Sequence, residues 1–126
     1  MKYLVPLFLI LLLSCNSTSK MSAAPLKGRL VVSELCGHYI VELISGKIAA
    51  GKLAIDWHDD KRNATYKHAF SIANPCDFDK FSLKEGDEFT FVLHSDEVKE
   101  ACAVCLAYYP KPAQSLSIKD IQKQNP

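Results

Sequence analysis

No charge of one sign dominates this chain: 15 Lys and Arg stand against 14 Asp and Glu. That balance removes any broad electrostatic claim of the whole molecule on nucleic acid or an anionic surface. No apolar run reaches the roughly 20 residues that a bilayer-spanning helix needs. His38, His58, His68 and His94 form neither an HExxH nor a His-x-His pattern. A G-x-S-x-G elbow, a Gly-rich phosphate loop and an obvious carboxylate pair are also missing, which leaves the common hydrolase and nucleotide-binding chemistries without a motif. A four-cysteine zinc site normally pairs two short knuckles. This chain has one Cys-x-x-Cys and otherwise isolated cysteines. No metal and no cofactor are therefore expected, and no internal repeat is visible.

What the N-terminus carries is more telling. Met1-Lys2 is a short positive start, and Tyr3 to Leu13 is an apolar run broken only by Pro6. Ser14-Cys15 and the polar stretch Asn16-Ser17-Thr18-Ser19-Lys20 follow. A positive end, an apolar core of about 7–15 residues and a small residue before the cut describe a secretory signal. Leu12-Leu13-Ser14-Cys15 resembles the lipobox of bacterial lipoproteins, with Leu12, Ser14 and Cys15 in register and Leu13 a less usual occupant. The resemblance implies cleavage before Cys15 and a diacylglyceryl group on its sulfur. The competing reading is an ordinary signal with an incidental cysteine. On the lipoprotein reading, residues 1–14 are the signal and 15–25 a lipidated flexible tether. Residues 26–122 are the folded domain and 123–126 a polar tail. Two or more acyl chains anchor a protein stably where one does not.

Five cysteines are present. Assigning Cys15 to lipid leaves Cys36, Cys76, Cys102 and Cys105. An even number in an exported domain suggests two disulfides, in any of three pairings that sequence does not choose between. A Cys36–Cys76 bridge would close about 41 residues and be worth roughly 4 kcal/mol.

From Lys27 the residues alternate in the manner of strands. GRLVVSEL and HYIVELI flank Cys36-Gly37, a hairpin signal. Leu53, Ile55 and Trp57 alternate with polar or small residues, and Tyr66, His68, Phe70 and Ile72 share a face. The polar segment HDDKRNA between them reads as a solvated turn. Asn74-Pro75-Cys76 breaks the pattern, and DFDKFSL reads as irregular or a single helical turn with Phe78 and Phe81 inward. Lys84-Glu85-Gly86-Asp87 is a turn into the strand EFTFVLH, and Leu116-Ser117-Ile118-Lys119 closes the set. SDEVKEACAVCLAYYP is either a helix capped by Ser95 or a loop followed by the strand AVCLAYY. The latter is favoured by its β-branched and aromatic content.

Short strands with turn signals and almost no helix predict an all-β domain, a small antiparallel barrel, with a β-sandwich as the alternative. The strand order, the placing of Cys36-Gly37 and the motif KEGDEFTFVL resemble the small OB-like or Greek-key barrels of short bacterial lipoproteins. The lipid tether and the missing catalytic motifs together lead to the expectation of a membrane-anchored module of the cell envelope, periplasmic or surface-facing, that binds a protein or glycan partner or serves a structural role without catalysis. No nucleic acid partner is expected. Tyr108 and Tyr109 are the candidate contact residues, because adjacent residues of a strand face opposite ways. Tyr66, Phe89 and Phe91 could extend a stacking surface or else fill the core. The alternative function is a thiol-disulfide or metal-handling protein using Cys102 and Cys105. Against it, no βαβ unit precedes the pair to depress a thiol pKa.

Overall fold

The computed structural model describes residues 25–96, 98, 102 and 108–125. The signal, Cys15, most of the tether, Cys105 and most of the AVCLAYY segment lie outside the described residues. The elements are β1 (Leu26–Glu34), β2 (His38–Ser45), β3 (Ala54–Asp59), β4 (Ala64–Ile72), α1 (Pro75–Asp79), β5 (Glu88–Leu93), β6 (Ser115–Leu116) and β7 (Ile118–Lys123).

The β1–β2 hairpin forms where the sequence breaks its alternation. Cys36 and Gly37 both take positive φ, 69° and 70°, the hand of turn that matches the twist of paired strands. The strands then assemble in the order β3-β4-β2-β1-β5-β7, with β6 paired to β4 off that path. Every pairing is antiparallel except β4–β6. The domain is therefore all-β, as its alternating pattern predicts, but the expected barrel does not close. The contact that would close it consists of Ser71↔Ser115 and Ile72↔Leu116, and Ser117 interrupts the strand before β7 begins. The described strands all belong to one sheet, so two packed sheets are not formed either.

One side of the sheet holds the main core. Leu30, Val41, Phe70, Phe78, Phe89, Phe91 and Ile118 are buried there. Phe89 sits 5.6 Å from Phe78 and 5.7 Å from Phe91, and Phe70 lies 5.8 Å from Phe91. Such tilted and edge-on ring pairs add about 1 kcal/mol each beyond area burial. Phe89 and Phe91 are thus core residues, not a stacking surface. A second cluster gathers Val31, Val32, Ile40 and Ala69, with Trp57 and Tyr66 packed on it. β1 feeds both clusters because its register against β2 shifts between Leu30 and Val32. An extra residue in one strand re-aims the side chains that follow.

In β3 the expected alternation breaks with no register shift against β4. Asp56 has φ 50°, so Leu53 enters the main core and Trp57 the second cluster. Ile55 between them is 67% exposed. On β4, Phe70 and Ile72 are buried and His68 is exposed. The shared face therefore stops short of His68.

Asn74 ties the β4–α1 connection to β7. It is completely buried. Its amide donates to the Ile118 carbonyl at 2.7 Å and its Oδ1 accepts from the Ile118 N–H at 3.0 Å. One side chain thus satisfies both backbone groups, as a neighbouring strand would. The following Pro75 starts a single helical turn that buries Phe78. Phe81, expected inward, lies beyond the end of α1 and is 46% exposed. The last strand also runs further than expected: β7 reaches Lys123, and the Gln124 N–H donates to the Glu88 carbonyl.

Candidate functional site

The chemically dense part of the molecule lies beside the Glu34 end of β1. Four segments meet there: the β1–β2 turn, the β3–β4 turn, α1 and the turn that leads into β5. A disulfide joins Cys76 in α1 to Cys102, with a Cα–Cα distance of 6.2 Å. Cys36 lines the same cavity of about 630 Å³, together with Leu35, Gly37 and Tyr39, and it too is bonded. Gly37 packs so closely on α1 that a Cβ there would come within 2.8 Å of the Pro75 Cβ. Below it the Tyr39 hydroxyl donates to Asp79 at 2.6 Å. Burial first, and then the Asp79 carboxylate, push the Tyr39 pKa up to about 12. The phenol is therefore a fixed donor and not an acid at ordinary pH.

The β3–β4 turn brings Arg62 into a hub of carboxylates. Arg62 donates to Glu34 and to Asp59, each at 3.0 Å, and to Glu85. Lys61 adds a bond to Glu34 at 2.6 Å. Glu85 is oriented from behind by the Ser33 N–H at 2.9 Å. Bonds from Lys61 and then Arg62 hold the Glu34 carboxyl below its ordinary pKa. The carboxylates, Glu85 foremost, raise that of Arg62. The run Asp59-Asp60-Lys61-Arg62, read as a solvated turn, is therefore a tie: Asp59 is 8% exposed, Lys61 and Arg62 both bond Glu34, and Asp60 is the member left in water. A mixed-sign run is its sole trace in the sequence, and surface turns show the same pattern. The hub was missed for that reason.

Between the hub and the second cluster lies a small cleft of about 50 Å³ walled by Val32, Trp57, Tyr109 and Pro110. His38 stacks on Tyr109 with ring centroids 5.2 Å apart. Burial lowers the His38 pKa, and a hydrogen bond to the Pro110 carbonyl partly offsets this. Tyr108 next to it is 87% exposed. Neither tyrosine is in a strand.

Of the residues singled out from sequence, Cys36, Cys76 and Cys102 come together around one cavity, with Tyr109 against His38 on the other side of the β1–β2 turn. Cys15 and Cys105 lie outside the described residues. Cys102 is bonded to Cys76, the partner 26 positions away. Among the described residues no group of three or more His, Cys, Asp or Glu is placed to hold a metal ion, and the hub carboxylates already face Arg62. No family model, curated protein or solved structure matches this chain.

Proposed function

We propose that this chain is a lipid-anchored protein of the bacterial cell envelope whose β domain is a non-catalytic binding or structural module. The observation that carries the reading is the Cys76–Cys102 disulfide. Such bonds persist in exported proteins and are rare in the reducing cytosol. It supports taking residues 1–14 as an export signal and Cys15 as the lipidated residue. With Cys15 assigned to lipid and Cys76 paired to Cys102, the cysteine count leaves Cys36 and Cys105 for the second disulfide that this reading expects.

An OB-like architecture is part of the proposal. The pairings run β1-β2-β4 on one side and β1-β5-β7 on the other, and β6 reaches back to β4 in parallel. A short helix falls between β4 and β5. A barrel of that kind keeps its edges short and offers a side wall for a protein or glycan. Tyr108, exposed beside the cleft of Trp57 and Tyr109, is the proposed contact.

The alternative, a thiol-disulfide or metal-handling protein using Cys102 and Cys105, draws on one feature: Cys36 lines the same cavity as the bonded pair. The two readings separate by experiment. Detergent-phase partitioning of the expressed protein, with and without Cys15→Ala, tests the anchor. A Cys15→Ala protein that still enters the detergent phase after signal removal overturns it. Mass mapping of the disulfides, followed by a dithiol-turnover assay, tests the module. Turnover that disappears in Cys105→Ser overturns the non-catalytic reading.

A further inference from the structure

The balance of the whole chain conceals a local imbalance at the opposite end of β1. The β2–β3 connection begins at Ser45, which pairs with Lys27 across the first hairpin. Gly46 lies directly on Leu26: a Cβ there would sit 2.5 Å from the Leu26 Cδ2. This connection is therefore the immediate neighbour of the place where residues 15–25 join the sheet. From Gly46 to Leu53 it holds Lys47 and Lys52 and no carboxylate, the flanking ones in sequence being Glu42 and Asp56. Lys47, Ala49, Ala50, Gly51 and Lys52 are all exposed, and Ile44 beside them is 37% exposed. Gly51, with φ 88°, has nothing within 4 Å of where a Cβ would stand. Gly51 thus faces open solvent, while Ile48 and Leu53 on either side hold the loop to the main core.

We propose that this loop docks on the surface of an anionic phospholipid bilayer. The inference rests on the lipid anchor at Cys15. Cys15 and Pro25 are ten positions apart and at most about 35 Å apart when the chain is fully extended, so the loop beside Leu26 adjoins the anchored end of the domain and stays within reach of the headgroups. Small apolar residues next to exposed lysines suit the interface: the apolar groups enter the headgroup boundary and the ammonium groups meet phosphate. Each lysine at such a surface is worth about fivefold in partitioning, so the pair is worth about thirtyfold. Lys52 shares a cleft with Asp96, so Lys47 contributes the larger part. Docking would fix the domain's orientation, with the Arg62 hub and Tyr108 held on the part of the surface away from the lipid entry point.

Hydrogen exchange of the lipidated protein in vesicles tests this. With phosphatidylglycerol present, the amides of Ser45 to Lys52 should exchange severalfold more slowly than in pure phosphatidylcholine. The Lys47→Glu/Lys52→Glu variant should lose that difference. Equal exchange in both vesicles, or protection that survives the double variant, overturns the proposal. Sedimentation with pure phosphatidylcholine vesicles reads the anchor alone. Failure of the anchor therefore shows there, and failure of the docking shows only in the lipid-dependent exchange. Both lysines are exposed, so the variant's fold, checked by its circular dichroism, should be unchanged.

Discussion

The two ends of β1 are built by different physics. At the Glu34 end the chain is crossed by a disulfide, the Tyr39–Asp79 bond and the Arg62 hub. At the Leu26 end the neighbouring connection has exposed lysines and small residues, with none of these ties among the interactions of Gly46 to Lys52 beyond the Lys52 N–H to Ala49 carbonyl bond. One end is held by the domain itself. The other is left open to what lies outside it. The difference teaches where stability is concentrated, and it ranks the substitutions that follow.

The largest effect should come from removing the crosslink. A Cys76→Ala/Cys102→Ala variant releases a loop of about 27 residues and should lose about 3–4 kcal/mol, read as a lower urea midpoint. Wild type under reducing conditions should move the same way. A loss of unfolding free energy under about 1 kcal/mol would mean that the noncovalent ties at this end suffice.

Gly37→Ala should follow, at about 2 kcal/mol. It forces a side chain into a positive φ and against Pro75. Gly51→Ala, also at positive φ but with open space around it, should cost less. The gap between the two isolates the packing of the β1–β2 turn on α1.

Arg62→Met should cost about 1–2 kcal/mol, since the hub is only partly withdrawn from water and salt screens it. The loss comes chiefly from three carboxylates left facing one another. The variant should therefore regain stability as pH falls through the carboxylate range, where wild type loses it.

Wild-type pH dependence has a sign at each extreme. The Glu34 carboxyl is depressed below 4.5 and His38 below 6.5. Both contribute stability above those values that is lost as pH falls through the folded-state pKa. Tyr39 is raised from 10.0 to about 12, so its contribution is full below pH 10 and disappears as pH rises through 12. Tyr39→Phe should flatten the alkaline arm of a stability–pH profile and leave the acid arm unchanged.

The smallest effect belongs to the open end. Lys47→Glu/Lys52→Glu should change the unfolding free energy by less than about 0.5 kcal/mol, as exposed substitutions do. A larger loss would make those lysines structural and erase the contrast between the two ends.

Much of the architecture was legible from local pattern. The hairpin turn at Cys36-Gly37, the Lys84–Asp87 turn and the inward Phe89 and Phe91 follow from turn chemistry and period-two alternation. The interruptions were not legible. The positive φ of Asp56 and the register shift in β1 leave no trace in residue type, yet they decide that Ile55 is exposed and that Val31 and Val32 are both buried. The exit of Phe81 likewise depends on where a one-turn helix stops. The carboxylate hub needs Glu34, Asp59, Arg62 and Glu85 from three separate segments, a meeting that no spacing encodes.

The sequence by itself therefore determined the all-β character, the main core and the local turns, because alternation and turn residues act over a few positions. It also carries the export and lipidation pattern around Cys15 as an expectation that needs no fold. Only the tertiary structure decided that Cys76 takes Cys102 as its partner, that Arg62 gathers three carboxylates and that the sheet stays open at Ser117. Each of these depends on segments distant in the chain arriving at one place, and arrival is fixed by strand pairing and bulges rather than by composition.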